Sequence, residues 1–505
     1  MTDEQYPIQE QASRGALPAE LSENIRGMNP WWRGEPAPRL PEFHRWPYAR
    51  LRHLLDKGIA PATVLRGPRQ VGKTVLVRQL INALLEEEIA ADRILFVSFD
   101  ELPTHEEVRE PALTIARWFE AHVLKETFNA ADWAFRPAYV FFDEVQNLDA
   151  WAPQVKSLVD NHRVRVLLTG SSSLRIEAGR DSLAGRVTTL DLGPLLLREI
   201  AGIRFGVEGA PYWVHNALDS LIQMEFWQEA IEQARRERPV RDQAFVAFAE
   251  RGAYPVAHQR GDVPWPQMAD QLNETVIKRA IEHDLRMGER GRKRDQALLE
   301  EVFRLCCRYA GQTPGSAVFV PEIRQSLAAD IGWNRILTYL RFLDGTLLMR
   351  LIQPMELRLK RRKSPAKICL CDHGLRASWL EEVVPLDPDR LAASPHLSDL
   401  AGQLAESVLG YFLASVPNLD VPHFPTRATE PEVDFVLTVG VKRIPIEVKY
   451  RRRIDCHEDT RGLRAFLEKT VYNAPFGILV TLDDDVVVKD PRIVSMSLSS
   501  LLWLR

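Results

Sequence analysis

One run of eight residues has the composition and spacing of a phosphate-binding loop. It matches the pattern GxxxxGK[ST] and consists of Gly67, Pro68, Arg69, Gln70, Val71, Gly72, Lys73 and Thr74. Glycines let such a loop wrap closely, so that backbone N–H groups and a helix N-terminus face the phosphates. The lysine is expected to reach the β- and γ-phosphates, and the threonine hydroxyl to bind Mg²⁺. The run therefore predicts a binding site for ATP with Mg²⁺.

Two carboxylates follow a second apolar segment. Asp143 and Glu144 come directly after residues 139–142, which fit a buried central strand. Ligands of open α/β sheets bind at the carboxyl ends of such strands. Asp143 is therefore expected to hold Mg²⁺ through water, and Glu144 to polarise the water that attacks the γ-phosphate. The presence of Glu144 favours hydrolysis over binding alone.

A third apolar segment, 164–169, is followed by polar and basic residues with two alternative interpretations. Ser171 is expected to sense the γ-phosphate, although a plain turn explains it equally well. Arg180 or Arg186 would act as an arginine finger, which stabilises charge in the transition state of hydrolysis. Arg186 is the preferred candidate, and the alternative is a solvated loop arginine. The sequence does not indicate whether the finger acts on its own chain or on a neighbour.

A second group of chemically competent residues lies near the C-terminal end. Asp434, Glu447 and Lys449 form the D…ExK pattern that is typical of metal-dependent nucleases. Glu447 and Lys449 are two apart on a predicted strand, so their side chains share a face. The two carboxylates would bind Mg²⁺, and Lys449 would position or activate water. The alternatives are a surface hairpin with alternating charge and a nuclease-like fold that does not cleave.

The segments that must position the first site alternate between apolar runs and amphipathic stretches. A helix is expected at 74–85, and strands at 63–65, 94–99, 139–142 and 164–169. Short continuous apolar runs separated by helices are typical of a parallel sheet covered on both faces. The predicted fold class is therefore α/β, with a parallel sheet of the P-loop NTPase type.

The change of pattern along the chain predicts five regions. Residues 1–45 are a tail and lead-in, and the first 27 of them look like a tail because they lack periodicity. The four regions that follow are a P-loop ATPase region at 46–213, a helical lid or connector at 214–295, a winged helix at 296–365 and a nuclease-like region at 366–505. The winged helix is predicted from the order helix, helix, helix and strand before the basic run 358–363. Strands at 433–439, 444–449 and 477–481 with a helix at 400–413 make the last region mixed α and β.

The chain resembles a family of prokaryotic AAA-type ATPases in several strings of residues. They are Asn29-Pro-Trp-Trp, the phosphate loop, Phe142-Asp-Glu-Val-Gln146, Trp151, Thr169-Gly-Ser-Ser and Leu183-Ala-Gly-Arg186. The resemblance implies an ATPase domain followed by a winged helix and a C-terminal domain of unknown function similar to restriction-endonuclease folds. It also makes Glu406 similar to the additional acidic metal ligand of those nucleases. The chain departs from the family at Pro194-Leu-Leu-Leu-Arg-Glu199, where relatives have a Ser-Phe pair before the glutamate.

The composition indicates the cellular compartment of the protein. The 505 residues carry a net charge of −4 and contain five cysteines without a CxxC pair. An odd number of cysteines argues against a disulfide framework and favours a reducing compartment. An apolar signal segment and a membrane span are both missing from the sequence pattern, so we expect a cytoplasmic protein without a membrane partner.

Three functions remain compatible with these residues. The main hypothesis is an ATPase whose nucleotide state controls a DNA-binding half, which would cleave DNA through its metal site. One alternative is a regulatory switch that binds a protein partner and keeps the nuclease-like fold as a scaffold. The other is a DNA-binding ATPase without cleavage. Basic clusters at 358–363 and 449–453, with Arg461 and Arg464, favour DNA because they would neutralise phosphates.

Overall fold

The chain folds into two compact units. The computed structural model describes residues 17–36, 38–57, 60–102, 108–170, 183–207, 209–213, 218–281, 295–356, 364–426 and 431–505. The first unit comprises Met1–Gly67 and Gly72–Leu192, and the second comprises Pro68–Val71 and Gly193–Arg505. The first unit thus ends at Leu192, whereas the sequence placed the end of the P-loop region at residue 213.

The first unit is built on a parallel sheet of five strands. They are β1 (Ala62–Arg66), β2 (Ile94–Ser98), β3 (Tyr139–Asp143), β4 (Arg165–Gly170) and β5 (Val187–Asp191). Their order is β2-β3-β4-β1-β5, and every pair is parallel. The predicted α/β class, parallel sheet and first four strands are confirmed. The edge strand β5 was not predicted, because most of its side chains are only half-buried and it has no continuous apolar run.

Helices and short helical turns surround this sheet. The α-helices are Ala19–Met28, Tyr48–Lys57, Lys73–Glu86, Pro111–Phe119, Phe128–Trp133 and Trp151–Asn161. Shorter 3₁₀ segments lie at Pro30–Arg33, Ala91–Arg93 and Val145–Asn147, and a π-helical segment at Glu120–Leu124. One buried core joins strands β1–β4 to helices Ala19–Met28, Pro111–Phe119, Phe128–Trp133 and Trp151–Asn161. Helices Tyr48–Lys57 and Lys73–Glu86 bury apolar side chains outside this core. The sheet is therefore covered as its apolar strands require.

The segment before β1 covers the open edge of β2. The Asn29 side chain accepts from the Phe96 N–H at 2.8 Å and donates to the Phe96 carbonyl at 2.8 Å, as a neighbouring strand would. The indole N–H groups of Trp31 and Trp32 both donate to the Ile94 carbonyl. An exposed edge strand invites pairing with other chains, so these side chains protect it.

The last residues of the predicted tail, 1–27, form a helix that the sequence pattern did not indicate. Ala19–Met28 is a helix, and its Leu21 and Ile25 are fully buried in the core of the first unit. Leu21 and Ile25 are four residues apart and so lie on one helical face. Two apolar positions were too few to reveal this helix in the sequence pattern.

The second unit begins with helices. They are Leu197–Phe205, Met224–Arg236, Arg238–Arg251, Pro255–Gln259 and Trp265–Leu272, with a 3₁₀ segment at Leu218–Ile222 and a π-helical segment at Asn273–Lys278. Among the described residues of 214–295 no strand occurs, in agreement with the predicted helical region.

Three helices and a small sheet follow. The helices are Gln296–Arg308, Ser316–Leu327 and Trp333–Gly345. Strand β6 (Met349–Ile352) then pairs antiparallel with β7 (Lys367–Leu370). The sequence predicted the helices and β6 but not β7. The basic run 358–363 lies outside the described residues.

The rest of the second unit is a four-stranded mixed sheet with helices. The helices are His373–Leu380, Pro388–Ala393, Ser398–Ala414, Arg461–Leu467 and Leu498–Leu502, with 3₁₀ segments at Pro395–Leu397 and Thr470–Tyr472. Strands β8 (Phe435–Val439) and β9 (Lys442–Lys449) form an antiparallel hairpin through Gly440, whose φ is 58°. Strands β10 (Gly477–Thr481) and β11 (Ile493–Ser497) continue the sheet in parallel. Within the described ranges, every helix is too short or too polar to cross a bilayer.

Candidate functional site

The phosphate-loop pattern lies between β1 and the helix Lys73–Glu86. Gly72, which precedes the helix, has a φ of 93°, a left-handed conformation that side chains rarely adopt. Gln70 also has a positive φ, of 63°. These residues turn the chain sharply from the strand into the helix, and the first N–H groups of a helix lack partners within it. Such an N-terminus is suited to bind phosphate.

Lys73 and Thr74 connect this loop to the carboxylates that follow β3. Lys73 is 4% exposed, and its Nζ donates to the Gly67 carbonyl at 3.1 Å and lies 3.7 Å from Oε1 of Glu144. The Thr74 hydroxyl donates to Oδ2 of Asp143 at 2.7 Å. The two halves of the predicted site therefore lie together at the carboxyl edge of the sheet.

Asp143 is held by hydroxyl groups on both of its oxygens. Its Oδ1 accepts a short hydrogen bond from Thr169, and its Oδ2 accepts the bond from Thr74. Burial and the negative charge of Glu144 raise the pKa of Asp143 to about 6, although these hydrogen bonds and Lys73 oppose the shift. A bound cation would favour the ionised carboxylate. Hydroxyl and carboxylate oxygens are ligands that Mg²⁺ prefers, so Thr74 and Asp143 fit this ion.

Thr169 is a site residue that sequence reasoning did not select. Its hydroxyl bonds Asp143 and also accepts from the Glu144 N–H at 3.1 Å. Strand β4 lies between β1 and β3, which places its carboxyl end between the two motifs. One feature of the sequence could have identified Thr169, namely that it is the first polar residue after the apolar run of this strand. Ser171, the residue selected instead, lies outside the described residues, as does Arg180.

Glu144 has a second partner besides Lys73. The amide of Gln146, which is 1% exposed, donates a short hydrogen bond to Oε2 of Glu144. Glu144 itself adopts a φ of 55°, and a non-glycine residue in this region is uncommon. This backbone turn and the amide together orient the carboxylate. Gln146 contributed to the sequence analysis only through the resemblance.

Arg186 lies at the opposite edge of the sheet from the phosphate loop. Its carbonyl accepts from the Ala62 N–H at the start of β1, and its side chain pairs with Asp160 at 2.5 Å. The five-residue strand β1 spans about 13 Å, which is longer than an arginine side chain. Arg186 therefore cannot reach a nucleotide on its own chain. Arg186 could therefore act as the predicted arginine finger only on a nucleotide that is bound to another copy of the chain.

The C-terminal acidic residues come together in the second unit around a lysine that the sequence did not reveal. Lys367, at the start of β7, donates from Nζ to Oε2 of Glu406 and to Oδ1 of Asp434, both at 2.8 Å. Lys367 is 2% exposed. Burial is the largest influence and would raise the pKa of Asp434. The charge and hydrogen bond of Lys367, the hydrogen bond from the Val448 N–H and the charge of Lys449 together leave this pKa below its ordinary value.

Glu447 and Lys449 form a second pair beside this cluster. Lys449 Nζ lies 2.5 Å from Oε1 of Glu447, whereas Oε2 of Glu447 is buried without a hydrogen-bond partner. Burial, together with the negative charge of Asp434, raises the pKa of Glu447 to about 8. These residues, with Lys367 and Glu406, line a cavity of about 720 Å³. The structure thus brings together all four residues that the sequence predicted here.

The arrangement does not fit the predicted metal centre. A divalent ion would need oxygens of Glu406, Asp434 and Glu447 to converge on one point. Lys367 lies between the first two, and Lys449 holds the third. Within the described residues, no group of three or more histidine, cysteine, aspartate or glutamate side chains is arranged to hold a metal ion.

Comparisons with known proteins assign a class to part of the chain. Residues 60–201 match a family model described as an AAA domain. Together with the loop and the Asp143 geometry, this match makes the segment an AAA-type P-loop ATPase domain. Residues 401–501 match a model described as a domain of unknown function, DUF4143.

Individual relatives are distant. An uncharacterized protein of Methanocaldococcus jannaschii is 26% identical over 163 residues, which are 31% of this chain and 32% of the relative. The match thus spans about a third of that protein's length. Among solved structures, a Walker-type ATPase of Pyrococcus abyssi is 16% identical at a TM-score of 0.39, over 67% of this chain and 96% of that one. Domain III of the Thermotoga maritima replication initiation protein DnaA is 13% identical at 0.20, over 31% and 64%. TM-scores below 0.5 do not establish a common overall fold.

Proposed function

We propose that the chain binds ATP with Mg²⁺ and hydrolyses it at the site between Lys73, Asp143 and Glu144. The observation that carries this proposal is the chain of hydrogen bonds from Thr74 through Asp143 to Thr169, with the Glu144 backbone as its end. It joins the phosphate loop to the carboxylates. A site of this kind needs little rearrangement to act.

Each residue has a distinct role in this proposal. Lys73 offsets the negative charge of the phosphates, and Thr74 and Asp143 hold Mg²⁺, which supplies further positive charge beside them. Glu144 orients the attacking water and takes its proton. Its Oε1 lies 3.7 Å from Nζ of Lys73, which keeps the carboxylate beside the phosphate loop.

The test is ATP hydrolysis by the natural chain and by Glu144→Gln. We expect the variant to lose activity by about 10²- to 10⁴-fold, the usual effect of removing a general base. It should still bind a fluorescent ATP analogue. Glu126→Gln, which alters an ion pair of the same unit, serves as the control. A Glu144→Gln variant with natural turnover would contradict the assignment.

A second proposal concerns the three helices and the β6–β7 pair, which we interpret as a winged helix that binds DNA. Helix Trp333–Gly345 exposes polar side chains at helical spacing, namely Asn334, Arg335, Thr338 and Arg341. The opposite face is buried. A helix of this kind can lie in the major groove. This interpretation also moves the boundary proposed at 365 beyond β7, so that both strands belong to the winged helix.

DNA binding is tested by the fluorescence anisotropy of a labelled duplex over a range of salt concentrations. We expect Arg341→Ala to weaken binding and to reduce the slope of log affinity against log salt by about 1. Arg324→Ala, in the preceding helix and paired with Asp330, is the control. Absence of affinity at low salt would instead favour the protein-partner switch, which predicts nucleotide-dependent oligomerisation.

For the C-terminal region we propose a restriction-endonuclease-like scaffold without a cleavage step. Helix Ser398–Ala414, the β8–β9 hairpin, helix Arg461–Leu467 and β10 follow one another in the order expected of such a fold. The lysine-filled carboxylate cluster supports the hypothesis of a DNA-binding ATPase that does not cleave. DNA-stimulated ATP hydrolysis that survives Glu447→Ala would agree with it.

We also place the chain in the cytoplasm. All five cysteines lie in described residues, and none forms a disulfide. Four of them are buried, so they behave as small apolar side chains. Free thiols of this number are typical of a reducing compartment.

A further inference from the structure

The ammonium group of Lys367 is surrounded by groups that bind cations, namely two carboxylates and an aromatic ring. Its Nζ contacts one carboxylate oxygen from helix Ser398–Ala414 and one from Asp434, which directly precedes β8. The Phe435 ring centre is 5.0 Å from the same nitrogen, close enough for a cation–π interaction. A buried ammonium is tolerated when its partners are charged and well placed. Helix Ser398–Ala414 and the start of β8 therefore converge on this one charge of β7.

The remaining oxygens leave little for a metal ion. Asp434 Oδ2 accepts from the Val448 N–H at 2.9 Å, and Glu447 Oε1 accepts from Lys449. Of the three carboxylates, only Glu447 has a buried oxygen without a partner, its Oε2. A divalent ion held there would lie beside the Lys449 ammonium group, which contacts the other oxygen of the same carboxylate, and like charges at such short range repel strongly. The cluster is therefore closed to a divalent ion by its own lysines.

We propose that Lys367 is the resident cation of the Glu406–Asp434 pair, in the place where a divalent metal ion would bridge the two carboxylates. The natural chain then takes up no divalent ion at this cluster. Without a metal ion there is no metal-activated water, and the cavity has no means of metal-dependent cleavage. The proposal is independent of ATP hydrolysis, which takes place in the other unit.

The experiment is Mn²⁺ binding to the full-length, nucleotide-free chain, followed by the paramagnetic resonance signal of free Mn²⁺. The natural chain and Asp434→Asn should bind equal numbers of ions, because any uptake at the phosphate loop is common to both. Lys367→Met should bind one further ion per chain. The double variant Lys367→Met/Asp434→Asn should lose it again. Lys442→Met removes an exposed lysine of β9 in the same unit and should bind as the natural chain does.

Two results would overturn the proposal. One is an ion in the natural chain that Asp434→Asn abolishes, since the cluster would then be a metal site despite Lys367. The other is a folded Lys367→Met variant that takes up no extra ion, since Lys367 would then not be what excludes it. If circular dichroism shows that Lys367→Met does not fold, the natural chain is compared with Asp434→Asn and Glu406→Gln. An ion lost in both variants then refutes the proposal, and equal uptake supports it.

Discussion

The Thr169 hydroxyl donates a hydrogen bond to Oδ1 of Asp143 across two neighbouring strands. The contact follows from the strand order, because β4 separates β1 from β3 and ends level with both. Thr74 holds the other oxygen of the same carboxylate. Both oxygens of Asp143 are therefore held by hydroxyl groups. This arrangement makes Thr169 a positioning residue for the proposed hydrolysis.

Replacement of Thr169 by valine removes the hydroxyl and keeps the shape of the side chain. We expect kcat for ATP hydrolysis to fall about 10- to 100-fold, because a hydrogen bond to a charged group contributes about 1.5–3 kcal/mol. The KM for ATP should change little, since the phosphate loop is intact. Steady-state kinetics at several Mg²⁺ concentrations measure both constants.

Thr188→Val is the matched control for this substitution. Thr188 lies in β5 of the same sheet, where it pairs with Thr63 of β1. Its kcat should equal that of the natural chain. Equal losses in the two variants would mean that general destabilisation, and not the contact with Asp143, causes the effect.

Gln146 is expected to matter for the rate through its hydrogen bond to Glu144. Gln146→Leu keeps the volume and removes the amide, so the carboxylate loses one of the groups that orient it. We expect kcat to fall about 10-fold, the equivalent of one lost hydrogen bond to a charged group. ATP binding should stay close to natural, as measured with a fluorescent analogue.

Gln154→Leu tests whether this effect is specific. Gln154 is a buried glutamine of the same unit that bonds the backbone of Ala112 and Asp149. Its loss should lower the melting temperature without a selective fall in kcat. If Gln146→Leu changes stability and rate in the same proportion as Gln154→Leu, the orienting role is refuted.

The position of Arg186 predicts complementation between two inactive variants. Arg186 lies too far from its own phosphate loop to stabilise charge there, so a finger role requires a second copy. We expect Arg186→Ala and Lys73→Ala to be nearly inactive alone. A mixture of the two should recover activity, because one copy supplies the nucleotide site and the other the arginine. Natural turnover by Arg186→Ala alone would remove the residue from the mechanism.

The sequence revealed residues whose partners are close along the chain or fixed by a motif. The phosphate loop, Asp143 and Glu144 each follow an apolar run, and the parallel sheet brings the ends of such runs together. Thr169 was missed because three serines follow it at 171–173, and Ser171 was selected instead. Lys367 could not be found, since its partners lie 39 and 67 residues away and a single lysine has no informative spacing.

Two strands of mixed composition, β5 and β7, were not predicted for a similar reason. β5 is half-buried at an edge of its sheet, and only its position beside β1 makes it a strand. β7 is four residues long and begins with Lys367, a residue type that is rarely buried. Periodicity identifies elements through their apolar face, and it fails where tertiary pairing or a buried charge defines the element.

The second unit should lose stability on mild acidification because of buried histidines. His258 is 3% exposed and its Nε2 lies 2.8 Å from the Gly252 carbonyl. Burial lowers the pKa of His258 to about 4, and the positive charges of Arg204 and Arg251 act in the same direction. In the unfolded chain His258 therefore binds a proton below about pH 6.5, whereas in the folded chain it does so only below about pH 4. This stabilisation is full above pH 6.5 and is lost as the pH falls through that window.

His258→Gln removes this titration and keeps an amide that can donate to the same carbonyl. Between pH 7 and pH 4, the natural chain should lose up to about 3 kcal/mol more of its unfolding free energy than the variant, since each unit of pKa shift corresponds to about 1.4 kcal/mol. Urea unfolding at a series of pH values measures the difference. His457→Gln, at an exposed histidine of the same unit, is the matched control variant. Parallel curves for the natural chain and His258→Gln would show that this imidazole titrates alike in the folded and unfolded chain.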